Sequence, residues 1–185
     1  MTATGQRMTA EELWHLPDRG MRYELIAGEL HTMPPAGGDH GYVTLEASYR
    51  LRDFLQQHAD IGGGLFAAET GFRLSRDPDT VRAPDVAYVA AERLPLARVR
   101  GYPELAPDLV VEVVSPNDTA GGVQAKVEEW LQAGSRLVWV LYPMTRTAMV
   151  YLPDGTARLL HADDTLLGEP VLPGFACRVG ELFGA

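Results

Sequence analysis

Residues 106–141 read APDLVVEVVSPNDTAGGVQAKVEEWLQAGSRLVWVL, and this stretch decides the fold. The residues on both sides of Glu112 are leucines and valines, a continuous apolar run typical of a strand buried on both faces. After the turn-forming residues 115–118, apolar residues recur at helical spacing until Gly134, which is placed to end a helix. Residues 137–141 form a second apolar run. The stretch therefore predicts a strand, a helix and a second, parallel strand joined by a right-handed crossover.

Two charged residues stand out within this unit. An unpaired buried carboxylate costs several kcal/mol, roughly, so Glu112 requires a metal ion, a cationic partner or a bound proton. Lys126, at the edge of the apolar stripe of the following helix, is a candidate partner. It is the only lysine in the chain, since the other fifteen of the 16 basic residues are arginines. A lysine ammonium can approach a single oxygen, which a planar guanidinium does less well. The alternative, a solvated helix lysine, stays open.

Length and composition predict one domain over residues 1–185, with residues 1–7 disordered. The chain is 46% hydrophobic and 22% charged, as in ordinary globular proteins. It has no apolar run of the ~18 residues needed to span a bilayer, and its N-terminus does not resemble a signal peptide. The single Cys177 excludes an internal disulfide and a cysteine zinc cluster. These features predict a cytoplasmic protein without membrane contact.

The formal net charge of −9 counts against binding nucleic acid through charge alone, because phosphate contacts are made by lysine and arginine. It does not exclude a nuclease, since carboxylates that hold cations make part of the acidity local. The aromatic residues lie mostly at core spacing and predict no stacking platform for bases.

Outside the central unit, local patterns predict the remaining elements. Thr9 begins a capping box and a short helix. The other predicted elements are a β-hairpin over residues 23–33, a long helix over 40–59, strands over 65–68, 71–74 and 81–89, a second hairpin over 147–161, and a terminal helical turn over 178–183.

Three carboxylates are candidate site residues. Asp85 follows a proline at the start of an apolar strand, Glu112 interrupts a buried strand, and Glu24 lies in an apolar segment. Magnesium is bound through one or two carboxylates with water and substrate phosphate, and an ammonium such as that of Lys126 can orient a water beside it. This combination suits phosphodiester hydrolysis. The alternatives are a turn residue for Asp85, a structural ion pair for Glu112 and an exposed strand position for Glu24.

The chain resembles a known family through motifs that follow one another in order. They are YELIAGE (23–29), TGFR (70–73), VRAPDV (81–86), PDLVVEVVSP (107–116), Lys126 and Gly134. Together, over about residues 8–183, they resemble the Uma-two family of restriction endonucleases, which is part of the PD-(D/E)xK nuclease superfamily.

The resemblance implies an α/β fold: a restriction-endonuclease-like mixed central β-sheet flanked by helices, with N-terminal and C-terminal β-hairpin additions. It implies that Pro84-Asp85 is the PD element, that Glu112 is the second acid, and that both hold the metal. The superfamily lysine would stand at Val114, so this chain departs from the pattern, and the resemblance suggests that Lys126 replaces it.

By the same resemblance Glu24 is the upstream acid, and the backbone carbonyl of Val113 is a further metal ligand. His40 and Glu69 are placed outside the core prediction, because packing at the helix start is the simpler interpretation of His40.

The leading hypothesis is a Mg2+-dependent DNA endonuclease, with Mn2+ as a possible substitute, acting as a homodimer. The alternative is a catalytically silent nuclease-fold module that binds nucleic acid or serves in assembly. The first requires Asp85, Glu112 and Lys126 in one pocket, whereas the second favours an arginine-rich face.

Overall fold

The computed structural model describes residues 7–17 and 20–184. The disorder predicted for residues 1–7 lies outside this range except at Arg7. Within the described residues, no helix is both long enough and apolar enough to cross a membrane.

A six-stranded mixed sheet forms the centre of the fold. Its strand order is β10-β9-β8-β7-β6-β3. The predicted central unit is confirmed as β7 (Leu109–Val113), α4 (Ala120–Gln132) and β8 (Leu137–Tyr142). β7 and β8 are parallel, while the other pairs in this sheet are antiparallel.

The remaining bounds follow in chain order. They are α1 Ala10–Trp14, β1 Arg22–Ile26, β2 Glu29–Met33, α2 Gly38–Gln57, β3 Gly64–Ala67, β4 Phe72–Ser75, β5 Thr80–Arg82, β6 Val86–Val89, α3 Leu94–Ala97, β9 Thr147–Tyr151, β10 Ala157–Leu160, β11 Thr165–Leu167, β12 Ala176–Arg178 and a 3-10 helix over Val179–Phe183. α3 and the β11–β12 pair were not predicted as such.

Both predicted hairpins are present, in different sheets. The N-terminal hairpin β1–β2 belongs to a four-stranded sheet of order β2-β1-β5-β4, beside which α1 packs. The capping box of α1 is formed by Thr9 and Glu12, as predicted. The C-terminal hairpin β9–β10 extends the edge of the central sheet.

The prediction of one strand over residues 81–89 is wrong. β5 lies in the four-stranded sheet and β6 in the central sheet, and the chain passes between them at Ala83, Pro84 and Asp85. Pro84 has no N–H to donate to a sheet ladder. The Ala83 N–H donates to the Glu24 carboxylate instead, and the Asp85 N–H donates to the Val111 carbonyl. The junction between the two sheets therefore contains the PD element, Pro84-Asp85.

The two faces of β7 pack against different helices. Leu109, Val111 and Val113 lie in a cluster with the apolar face of α2, whereas Val110 lies in a cluster with Val127 and Trp130 of α4. Successive side chains of a strand point to opposite faces, so Glu112 faces α4. This alternation directs its carboxylate toward Lys126.

A buried ion pair fixes α1 to the four-stranded sheet. Arg73 Nη2 lies 2.7 Å from both carboxylate oxygens of Asp79, which also accepts a 2.7 Å hydrogen bond from the Ala10 N–H. Burial opposes the ionisation of Asp79, but the hydrogen bonds from Arg73 and Ala10 outweigh it and lower its pKa below the ordinary 3.8. The pair therefore favours folding wherever Asp79 is ionised.

We expect Asp79→Asn to lower the free energy of unfolding at neutral pH by about 3 kcal/mol, because it leaves buried Arg73 without its main counterion. The folded-state pKa of Asp79 lies below the unfolded-state value, so the stabilisation is complete above pH 3.8 and is lost as the pH falls through the folded-state pKa. Urea unfolding of wild type and Asp79→Asn, at pH 7 and in acid, measures both effects. The difference between their free energies of unfolding should be smaller in acid. An equal loss in Asp163→Asn, whose side chain is 96% exposed, would contradict it.

Candidate active site

Four elements bring the predicted site residues together. Glu24 comes from β1, Asp85 from the β5–β6 junction, Glu112 from β7 and Lys126 from α4. The three acids are buried, with exposed fractions of 2%, 4% and 8%. Strands of two sheets and a helix thus contribute to one largely buried polar cluster.

Lys126 joins two of the acids. Its Nζ donates to Glu112 Oε2 at 2.9 Å and lies 3.2 Å from Glu24 Oε1. It also reaches the Ala83 carbonyl oxygen at 3.5 Å. Burial alone would lower the pKa of Lys126, but the carboxylates of Glu112 and Glu24 outweigh it and raise the pKa above its ordinary value. The ammonium is therefore charged and held between two carboxylates.

Glu24 is fixed from a second side by Arg82. Arg82 Nη1 donates to Glu24 Oε2 at 2.6 Å, while Nε and Nη2 of the same guanidinium form a bidentate pair with Glu129 of α4 at 2.6 and 2.9 Å. Burial opposes the charge on Glu24, but Lys126 and Arg82 outweigh it and lower its pKa. Arg82 thus links the four-stranded sheet to the helix that bears Lys126.

Asp85 is surrounded by three donors. Its Oδ2 accepts a 2.8 Å hydrogen bond from the Val113 N–H and lies 3.2 Å from His40 Nε2, while Arg22 Nη2 lies 3.6 Å from Oδ1. Burial opposes its ionisation, but the contact with His40 and the Val113 N–H outweigh it and lower the pKa of Asp85. The Val113 backbone therefore adjoins the Asp85 carboxylate, although its observed contact is made by the N–H.

Glu112 is the acid with the least favourable environment. Trp130 donates its indole N–H to Oε1 at 2.7 Å, and Lys126 donates to Oε2. Burial, reinforced by the negative charges of Asp85 and Glu24, still raises the pKa of Glu112 to about 7 against the opposing effect of Lys126. A further positive charge beside Glu112 and Asp85 would relieve this repulsion.

The donor set fits a hard divalent cation. In the described parts of the chain, no cluster of three or more His, Cys, Asp or Glu side chains is arranged to hold a metal. Magnesium does not require such a cluster, because it is usually bound through one or two carboxylates, waters and substrate phosphates. Asp85 and Glu112 supply two carboxylates, and burial, reinforced by the charges of Asp85 and Glu24, raises the pKa of Glu112.

All four predicted catalytic residues are thus close to one another, linked through direct contacts or through Val113. His40, placed outside the core prediction, is 8% exposed and contacts Asp85. Glu69 is mostly exposed and lies 3.9 Å from Arg22.

The sequence analysis missed Arg82, Arg22 and the polar role of Trp130. A weak signal existed for Trp130, because it follows Lys126 by four residues and therefore shares its side of the helix. Arg82 lies within the VRAPDV motif (81–86), which could have drawn attention to it, whereas Arg22 gave no signal among fifteen arginines.

The chain matches the family described as "Uma2: Putative restriction endonuclease" over residues 10–180. No curated protein matches it. Among solved structures it is similar to "a putative nuclease belonging to DUF820 from Anabaena variabilis", with 19% identity, a TM-score of 0.82 and coverage of 95% of this chain and 97% of that one. This similarity shows a shared fold, with its mixed central sheet flanked by helices. The match over residues 10–180 places this chain in the Uma2 family.

Proposed function

We propose that the protein is a divalent-metal-dependent endonuclease that hydrolyses phosphodiester bonds in DNA. One observation supports this most strongly. Two carboxylates able to hold a cation, Asp85 and Glu112, lie beside a charged lysine that reaches Glu112 at 2.9 Å. Membership of the Uma2 family supports a nuclease activity independently of this geometry.

Asp85 and Glu112 would hold the cation, Mg2+ or in its place Mn2+, and the carbonyl of Val113 is a further proposed ligand. When bound, such a cation stabilises developing negative charge and lowers the pKa of a coordinated water.

Lys126 would orient the attacking water and offset charge on the phosphoryl group, acting as a preorganised donor. Glu24 would hold Lys126 in place, because its Oε1 lies 3.2 Å from Nζ and its other oxygen is bound by Arg82. His40 would orient the Asp85 carboxylate.

We further propose a homodimer in the cytoplasm. Twofold dimers are the commonest oligomers of soluble proteins, which supports this part of the proposal. Sedimentation equilibrium of the purified protein measures the oligomeric state directly.

The second candidate function is the catalytically silent module. One observation favours it, since each acid already has a positively charged or hydrogen-bonding partner: Lys126 and Arg82 for Glu24, Lys126 for Glu112, and Arg22 for Asp85. Such a cluster can serve as a structural ion-pair network without a metal.

Cleavage of supercoiled plasmid distinguishes the two. We expect nicking in Mg2+ or Mn2+ and none in EDTA, whereas Arg158→Met, which changes an exposed strand residue, should cleave like the wild type. If wild type does not cleave with any cation, whether or not calorimetry detects Mn2+ binding, the silent module is supported. Nicking that persists in both Asp85→Ala and Lys126→Ala would indicate a contaminating nuclease and remove the support for the proposal.

A further inference from the structure

A groove runs beside the site at the start of β1. It consists of two adjoining cavities of about 390 and 310 Å³ that share Leu16, Pro17, Met21 and Tyr23. The second cavity also includes Arg22 and Ala83. We infer that this groove binds one unpaired nucleobase of a single-stranded nucleic acid, next to the phosphate to be cleaved. The inference rests on the proposed nuclease function and adds the class of substrate.

The groove adjoins the carboxylate cluster through two of its lining residues, Arg22 and Ala83. Arg22 lines the groove, and its Nη2 lies 3.6 Å from Asp85 Oδ1. Ala83 also lines it, and the Ala83 carbonyl is the group that Lys126 reaches at 3.5 Å. The Arg22 side chain is 17% exposed, and its guanidinium lies between Asp85 and Glu69, at 3.6 and 3.9 Å. A phosphate beside Arg22 would lie at the entrance to both the groove and the site.

The wall of the groove is aromatic. Trp14 is 48% exposed, and its ring meets Tyr102 edge to face with centroids 5.2 Å apart. Tyr102 is fixed by Gly71, because a Cβ at that position would lie 2.7 Å from the tyrosine ring. Met21 and Leu30 expose 39% and 40% of their surface beside this wall. A half-exposed indole such as that of Trp14, in contact with the Tyr102 ring, suits stacking by a base of any identity.

The charges favour a single strand over a duplex. A protein that tracks a duplex neutralises several phosphates with basic residues, whereas Arg22 is the only basic residue among the described residues of the groove. Glu69 lies at the same wall, with its side chain 71% exposed and 3.9 Å from Arg22, and would repel further phosphates. The chain as a whole has a net charge of −9. One phosphate at Arg22 with its neutral base in the groove satisfies these constraints.

Intrinsic fluorescence tests the proposal without catalysis. Trp130 and Trp139 are buried, so iodide quenching of the folded protein reports mainly on Trp14. In EDTA, a 12-nucleotide single-stranded DNA should quench the tryptophan emission and protect it from iodide, and an abasic strand of the same length should not. Trp14→Phe should remove the signal, with circular dichroism confirming its fold.

Fluorescence anisotropy in EDTA supplies the second readout. We expect Trp14→Ala to weaken binding of the labelled single strand at least about fivefold, the change that corresponds to ~1 kcal/mol of lost base stacking. Leu96→Ala, which alters a 64% exposed residue on α3, is the matched control. Equal affinity of wild type and Trp14→Ala, tighter binding of the matched duplex, or equal quenching by the abasic strand would overturn the inference. Neither binding measurement needs cleavage, so the two proposals can fail separately. Plasmid nicking without these binding signals would overturn base binding in the groove but not the nuclease activity. Binding signals without nicking would overturn the nuclease activity but not base binding.

Discussion

Lys126→Met is expected to reduce the rate of metal-dependent cleavage by about 10²–10³-fold, the loss typical of removing one preorganised donor from a charged transition state. The variant also removes the charge that opposes protonation of Glu112, whose pKa is already raised to about 7. The pKa of Glu112 would rise further in the variant. At neutral pH the Glu112 carboxyl would then hold a proton and bind a cation poorly. Single-turnover cleavage measures the rate, and calorimetry with Mn2+ measures the binding.

Lys126→Arg provides the sharper comparison. Arginine keeps the positive charge, but its planar guanidinium cannot occupy the point that lies 2.9 Å from Glu112 and 3.2 Å from Glu24. We expect it to retain the fold, as judged by thermal unfolding, and still to cleave at least about tenfold more slowly than wild type. Full activity of Lys126→Arg would mean that only charge is needed here, and full activity of Lys126→Met would exclude Lys126 from the reaction. Arg158→Met is the control for loss of a basic side chain away from the site.

Asp85→Asn is expected to abolish detectable metal-dependent cleavage and to weaken Mn2+ binding by at least about 100-fold, more than loss of an outer-shell partner does. The amide oxygen can still accept the hydrogen bond from the Val113 N–H, 2.8 Å away in the wild type, so the β7 backbone should stay in place. The loss would therefore reflect the missing ligand charge. Calorimetric titration and plasmid cleavage measure the two effects.

The control for Asp85→Asn is Asp163→Asn, which removes an equal charge from a side chain that is 96% exposed. It should cleave and bind Mn2+ as wild type does. If Asp85→Asn binds Mn2+ with unchanged affinity, the proposed ligand set is wrong. If binding falls in parallel with the thermal unfolding temperature in both variants, the effect is one of stability.

The central unit was predictable because its signals are local. An uninterrupted apolar run, a helical stripe and a terminating glycine determine β7, α4 and β8, and the crossover rule makes the strands parallel. The period of two along β7 then assigns Glu112 and Val113 to opposite faces. The family resemblance supplied Asp85, which no local pattern singled out beyond its position after a proline.

The rest depends on contacts between distant segments. His40 is separated from Asp85 by 45 positions, and Arg82 from Glu129 by 47, so no spacing rule relates them. The break between β5 and β6 was missed because an apolar segment on each side of Pro84 looks continuous in sequence. The strand pairing separates this segment into two sheets, because β5 pairs with β1 and β4, whereas β6 pairs with β7 and β3.

Lys126 is the only lysine of the chain, so the single ε-amine of the protein lies in the proposed site. Its raised pKa keeps the amine protonated, and only 21% of the side chain is exposed. Acylating reagents attack the neutral amine, so in the folded protein the Lys126 side chain resists the lysine-directed labels and crosslinkers that modify exposed lysines. The extent to which Lys126 is labelled therefore measures the fraction of molecules in which its ion pair with Glu112 has opened.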